Sequence, residues 1–115
     1  CYREEALRSL HPTLVRKYFT RSGGMSPLFV VNKSVRDIVR LGLLNLLEAW
    51  PMKGPFQVIL CRNVMIYFDR DTQERLVNRF YEFLEPGGYL LVGHAEGLSA
   101  VSHRFQYVRP AVYKK

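Results

Sequence analysis

Cysteine is scarce in this chain: its 115 residues include two, Cys1 and Cys61. Two cysteines do not make a disulfide framework, and reduced thiols suit the cytoplasm, where we expect the protein to act. The sequence also lacks the apolar run of roughly 20 residues that a membrane span needs, and no signal peptide is visible, so we expect no membrane insertion. Paired cysteines, His/Glu metal spacing and a catalytic triad are missing too, so no metal site is predicted.

Acidic residues are in the minority, because 10 Asp and Glu stand against 17 Lys and Arg, which gives a net charge of +7. A basic surface favours acidic partners; nucleic acid is the commonest of these, and an acidic peptide or receptor helix fits equally well. The basic residues are scattered and form no dense run with interleaved aromatics. This pattern is more typical of a solvated surface, so we expect no nucleic-acid partner.

The second half of the chain has the pattern of an α/β fold. Phe56–Cys61 is nearly continuously apolar, which is typical of a strand covered on both faces. Residues 72–84 follow a helical period, with Asp71 as the predicted cap, and residues 89–93 predict a second buried strand. Residues 105–114 predict a terminal hairpin. We expect the two buried strands to be adjacent and parallel, since a helix joins them.

The first half has shorter patterns. Two short helices are predicted to meet at His11, with Pro12 at a first helical position. Leu28–Val31 predicts a short strand, and extended structure is expected around residues 38–41. Residues 43–50 are apolar and predict a short helix before Pro51.

The most informative segment is the run CRNVMIYF, residues 61–68. Arg62 and Asn63 fall where the predicted strand leaves the sheet, and in open α/β sheets ligands bind at that carboxyl end. An arginine and an amide there can orient a small polar ligand, and Tyr67 can line the same pocket.

This run resembles the signature of the CheR-type chemotaxis receptor methyltransferases, which transfer a methyl group from S-adenosylmethionine to receptor glutamates. Further segments fall in the family's order and approximate spacing: Tyr18-Phe19, Asn45-Leu46-Leu47, Gly54-Pro55-Phe56, residues 84–88, Gly93-His94-Ala95-Glu96 and Val112-Tyr113. The resemblance covers nearly all of residues 1–115. It implies the C-terminal part of a protein-glutamate O-methyltransferase domain in chemotaxis signal transduction. The implied fold is a partial Rossmann-like class I methyltransferase sheet with a small antiparallel β-subdomain and a C-terminal β-hairpin.

The resemblance also implies roles for individual residues. Arg62 and Asn63 would contact the donor S-adenosylmethionine, Tyr67 would line the reaction centre, and Asn45 and Leu46 would hold the adenine. Each of three residues also has an alternative, purely structural role: Arg62 as the cap of a carbonyl, Tyr67 as a core aromatic and Asn45 as a helix cap.

The segment Gly93-His94-Ala95-Glu96 ends the second predicted strand at the same sheet edge. Gly93 allows close approach of the backbone, and His94 and Glu96 are predicted to point into the cleft as substrate residues. The alternative for His94 is a satisfied polar group at a strand end. The family commonly has serine where Ala95 and Gly97 stand.

The resemblance implies that residues 18–41 correspond to the family's small antiparallel subdomain, which helps to grip the receptor, in some members through a tail peptide. Its basic side chains suit an acidic helical receptor segment, although an ordinary β-meander with solvated charges is an alternative. The family's glycine-rich donor turn is missing from this sequence. A non-catalytic receptor- or partner-binding module with a truncated methyltransferase fold is therefore the alternative function. Missing strands would leave an unpaired strand edge and exposed apolar surface, so self-association is expected.

Overall fold

The computed structural model describes residues 1–24 and 28–115, and the chain divides into two compact units, Cys1–Leu43 and Leu44–Lys115. The first unit contains a short 3₁₀ helix and two short α-helices with one small sheet, and the second contains the β–α–β motif and the hairpin. Among the residues that the structure describes, no helix combines the length and the apolarity that crossing a bilayer requires.

The first unit is built on a three-stranded antiparallel sheet with the order β1-β3-β2. Its strands and α-helices are β1 (Tyr2–Arg3), α1 (Pro12–Tyr18), β2 (Phe19–Ser22), β3 (Leu28–Val31) and α2 (Lys33–Arg36). The break predicted at His11 is confirmed, because His11 caps α1 by accepting a hydrogen bond from the Thr13 N–H at 3.3 Å, and Pro12 occupies the first turn. The predicted strand at residues 28–31 is confirmed as well.

The extended structure predicted around residues 38–41 is wrong. The chain instead forms α2 followed by a turn, and no strand covers residues 38–41. Local contacts favour this arrangement: Lys33 pairs with Asp37 at 2.6 Å, and the Arg40 guanidinium donates to the Asp37 carbonyl at 2.7 Å. The helical turn therefore ends near residue 38, and residues 39–41 follow it without regular secondary structure.

The second unit is built on a four-stranded sheet with the order β4-β5-β7-β6. Its elements are β4 (Phe56–Cys61), α3 (Arg70–Phe83), β5 (Leu84–Val92), β6 (Gln106–Arg109) and β7 (Val112–Lys114). β4 and β5 are parallel and β6 and β7 form an antiparallel hairpin, so both predictions for this half are confirmed. The predicted α/β fold with a small antiparallel sheet and a terminal hairpin is thus the observed one.

Two boundaries differ from the predicted ones. The cap of α3 is Asp69 rather than Asp71, since the Asp69 carboxylate accepts a hydrogen bond from the Thr72 N–H at 2.8 Å. β5 begins at Leu84, directly after the helix, because Leu84 already pairs with Phe56 before the register shifts.

The helix predicted at residues 43–50 is absent, and a turn takes its place. The Asn45 side chain accepts a hydrogen bond from the Leu47 N–H at 3.0 Å, which favours a turn over a helix. Arg79 from α3 donates to the carbonyls of Leu46 and Glu48, at 3.0 and 2.6 Å. Carbonyls that a continuing helix would use are therefore satisfied by a distant side chain.

The hydrophobic core of the second unit lies on one face of its sheet. Buried side chains of α3 pack on Leu90, Val92 and Tyr113. The opposite face is open in residues 44–115: Val58 and Leu60 of β4 are 46% and 67% exposed. The expectation that β4 is covered on both faces is therefore wrong for the described part of the chain.

Candidate functional site

The turn that follows β4 has an unusual backbone. Asn63 adopts a left-handed conformation with φ of 58°, which asparagine tolerates better than most residues. A short 3₁₀ helix, Met65–Tyr67, follows directly. This shape points successive backbone N–H groups toward the end of the neighbouring strand β5.

Glu96 receives those N–H groups. Its carboxylate accepts hydrogen bonds from Asn63, Val64, Met65 and Ile66 at 2.7, 2.8, 2.7 and 3.3 Å, and from Gly93 at 2.7 Å. The residue is only 5% exposed. Burial alone would raise the pKa of this carboxyl, but the backbone hydrogen bonds outweigh it and hold the pKa below the ordinary value of 4.5. Glu96 is therefore a buried, ionised anchor between two strand ends.

Gly93 makes room for this anchor. A Cβ at this position would overlap the Glu96 carboxylate and would lie 2.8 Å from the Asn63 side-chain oxygen. The group that approaches this glycine is the Glu96 carboxylate, and a close approach of a ligand to Gly93 stays a prediction.

An apolar cavity of about 350 Å³ lies beside β4, and one charged side chain, Arg62, stands among its walls. The lining residues are Leu44, Leu46, Trp50, Met52, Phe56, Ile59, Leu60, Cys61, Arg62, Val64 and Phe80. Arg79 shapes this wall, since it holds the Leu46 and Glu48 carbonyls and its guanidinium lies 5.3 Å from the centre of the Trp50 ring. This space is called the apolar cavity below.

A second cavity of about 360 Å³ lies against the turn of the β6–β7 hairpin and is called the hairpin cavity. It is lined by Leu60, Arg62, Leu91, Val92, His94, Arg109, Pro110, Ala111 and Val112. Basic side chains surrounded by apolar ones suit a ligand that carries a carboxylate. Arg62 lines both cavities and so stands between them.

The predicted site residues are only partly brought together. Leu46 and Arg62 share the apolar cavity, and His94 joins Arg62 in the hairpin cavity. Asn45 lines neither of these cavities, and its amide is engaged with Leu47 and with the Glu48 carboxylate. Tyr67 also lines neither and is 80% exposed.

Glu96 has a different environment from the one predicted. A cleft-facing substrate residue was expected, but the carboxylate is turned inward and already accepts backbone hydrogen bonds. This placement does not fit direct contact with a substrate. Sequence reasoning also missed Arg79 and Arg109, whose positions depend on contacts between distant segments.

Cys61 is not a nucleophile in this structure. Burial, and to a smaller extent the negative charge of Glu96, raises the pKa of its thiol to about 11. The thiol is therefore protonated at neutral pH and packs in the core of the second unit.

A parallel β–α–β unit with ligand-sized cavities at the carboxyl end of its strands is the arrangement of Rossmann-like α/β proteins. Comparison with known families narrows this class: the family "CheR methyltransferase, SAM binding domain" matches residues 1–113. The chain belongs to this family, and the predicted resemblance and fold are confirmed.

Individual proteins that are similar to this chain support the same family assignment. The chain is 46% identical over 114 residues to a chemotaxis protein methyltransferase of Klebsiella aerogenes, an alignment that covers 97% of this chain and 39% of that protein. It is 40% identical over 114 residues to the chemotaxis protein methyltransferase of Escherichia coli K12, covering 97% and 40%. A probable chemotaxis protein methyltransferase of Rhizobium etli is 36% identical over 115 residues, covering 98% and 43%. The chain spans about two fifths of the length of these curated relatives.

Proposed function

We propose that this chain forms part of the site at which a methyl group passes from S-adenosylmethionine to glutamate side chains of chemotaxis receptors. Support comes from the family match, whose description names S-adenosylmethionine binding, and from the relatives' names. The observation that carries the proposal is Arg62, which lines both cavities at the carboxyl end of β4.

The apolar cavity fits the donor. Its volume of about 350 Å³ falls in the usual range for small-ligand sites, and walls such as Leu46 and Trp50 suit a flat adenine ring. Arg62 offers a positive charge to the carboxylate of the donor's methionine part. Asn45 contributes to the adenine end of the cavity indirectly, because its side chain holds the turn that carries Leu46. Asn63 determines the backbone conformation that follows Arg62.

The hairpin cavity fits the acceptor. Arg62, Arg109 and His94 can hold the carboxylate of a receptor glutamate beside the donor. S-adenosylmethionine supplies an activated methyl group: a carboxylate oxygen forms the new bond to the methyl carbon, and the sulfur keeps the electron pair of the bond that breaks. Because a carboxylate is already ionised at neutral pH, this chain needs to orient the two reactants rather than move a proton. Tyr67 lies on the same turn and is proposed to close the reaction centre from the solvent side.

The first unit is proposed to contact the receptor. The part of its small antiparallel sheet that lies in residues 18–41 carries or borders Lys17, Arg21, Lys33 and Arg36, which suit an acidic helical segment or a tail peptide. Positive charge of this kind raises the rate of encounter with an acidic partner more than the final affinity.

Donor binding tests the proposal. The protein to use is a chimaera in which residues 1–115 replace the matching segment of the Klebsiella aerogenes relative. That relative supplies the remaining segments of a complete enzyme. Calorimetric titration with S-adenosylmethionine should show binding to the parent chimaera. In Arg62→Ala the affinity should fall by about 10- to 100-fold, as expected for loss of a hydrogen bond to a charged group.

Arg70→Ala is the matched control. Arg70 is an exposed arginine at the start of α3 and lines neither cavity. Its removal should leave donor affinity unchanged. Donor binding by folded Arg62→Ala at the parental affinity, or no binding by a folded parent chimaera, would contradict the proposal.

A further inference from the structure

The Glu96 carboxylate accepts the backbone N–H groups of the turn that follows Arg62. We infer that Glu96 is a positioning residue of the proposed donor site: its carboxylate fixes the backbone from Asn63 to Met65 and thereby holds Arg62 between the two cavities. The inference rests on the proposed function, but the geometry that carries it is independent of any ligand.

The hydrogen bonds that the Glu96 carboxylate already accepts leave it little capacity to accept further ones. One carboxylate oxygen accepts from Val64, Met65 and Ile66, and the other accepts from Asn63 and Gly93. An ionised carboxylate offers about four lone-pair sites, so five N–H groups saturate it. Glu96 therefore acts through the turn and not by touching a reactant.

The anchor joins elements that carry different halves of the proposed site. The N–H donors of residues 63–66 follow β4 and adjoin Arg62, whereas Gly93 follows β5 and adjoins His94. Arg62 lines both cavities and His94 lines the hairpin cavity. The β4–β5 ladder ends at the pair Cys61 and Val92. One buried charge thus joins the two segments just beyond it, and with them the place of Arg62 relative to His94.

No other residue type reproduces this contact. Glutamine would turn an N–H₂ group toward backbone N–H groups, which cannot accept a hydrogen bond. Aspartate keeps the charge but is shorter by one carbon–carbon bond of about 1.5 Å. The turn also holds Asn63 in the left-handed region, at φ of 58°, a conformation that needs support from its surroundings.

Two measurements on Glu96→Gln test the inference. In the chimaera without donor, the backbone amide NMR signals of residues 63–66 and Gly93 should shift strongly, while those of α3 should stay in place. In the chimaera, donor affinity should fall by about 10- to 100-fold, as for loss of the hydrogen bond that a displaced Arg62 would no longer make to the charged donor. Glu96→Asp should fold and lose donor affinity to a smaller extent.

Two controls separate positioning from general stability. Val77→Ala removes two methyl groups from a fully buried position in α3, and so lowers the melting temperature while every backbone donor to Glu96 is kept. Its donor affinity should stay within about twofold of the parent, as expected for a site outside the cavities. Glu82→Gln makes the same carboxylate-to-amide change on the surface and should change neither measurement.

The outcomes are distinguishable. If the amide signals shift but Glu96→Gln and Glu96→Asp bind donor with the parental affinity, Glu96 is structural only and the inference is overturned. If the amide signals of the turn do not move, the anchor itself is refuted. Failure of the parent chimaera to bind donor would instead refute the proposed function, while the NMR result would still report on the anchor.

Discussion

Gly93, Asn63 and Glu96 form one packed cluster at the ends of β5 and β4. All three were expected at the ligand edge, but the anchoring role of Glu96 was not. The reason is physical: the five donors to Glu96 are backbone N–H groups, which every residue except proline carries. A side chain that binds only backbone leaves no partner residue in the sequence to signal the contact.

Gly93→Ala should destabilise the second unit. The added Cβ would lie 2.8 Å from the Asn63 side-chain oxygen and overlap the Glu96 carboxylate, so atoms must move apart. Overpacking of this kind typically costs about 1–3 kcal/mol, measurable as a lower urea midpoint. Gly97→Ala is the control, because its nearest neighbour would be the Tyr113 hydroxyl at 3.9 Å. Equal urea midpoints for the two variants would refute the close packing.

The ionised anchor should make stability sensitive to acid. Because the pKa of Glu96 is below 4.5 in the folded state, its contribution is complete above about pH 4.5 and is lost as pH falls through the lower, folded value. Urea unfolding of the parent chain should therefore show falling stability below pH 4.5. Glu96→Gln should flatten this part of the pH profile. A parent and a variant with parallel acid profiles would show that the carboxylate is not ionised against those N–H groups.

At the scale of elements, local apolar patterns predicted β4, α3 and β5, because each of these contributes side chains to the core that its sequence neighbours form. They failed at residues 43–50. Leucine-rich sequence there favours a helix, but Arg79, 33 residues from Leu46, binds the carbonyls that a helix would need. No local sequence pattern indicates a contact between residues that lie so far apart in the chain.

β4 should drive self-association of the 115-residue chain. Within the described residues its one hydrogen-bonded neighbour is β5, its sequence FQVILC has no charge, and Val58 is 46% exposed. An uncharged apolar edge is a template for pairing with a second copy. Light scattering at micromolar concentration should give a mass above that of the monomer.

Charged substitutions test whether this edge is responsible. Val58→Lys places a charge on β4 and should restore a monomer. Leu43→Lys changes a fully exposed leucine of the first unit and should leave the association unchanged. A monomeric parent chain, or association that Val58→Lys does not reduce, would rule out the β4 edge.

At the scale of the whole molecule, the motif CRNVMIYF and its place after a predicted strand predicted the family, and the ligand edge that they indicate stays a prediction. The division of that edge into an apolar cavity and a hairpin cavity could not be predicted, because it depends on how residues 44–52 and the hairpin turn fold back on β4. The predicted donor and substrate residues therefore remain proposals, with Arg62 at their centre.

Methyl transfer by the chimaera is the most direct test of that proposal. The measured quantity is the rate at which labelled methyl groups move from S-adenosylmethionine to receptor glutamates. The parent chimaera and Arg70→Ala should transfer methyl groups at the same rate, and Arg62→Ala should be slower by about 10²-fold or more, as for loss of an oriented charged contact in a closed site. Tyr67→Phe should also be slower, with an unchanged fold by circular dichroism. Parental rates in both Arg62→Ala and Tyr67→Phe would contradict the assignment of this turn to the methyl-transfer site.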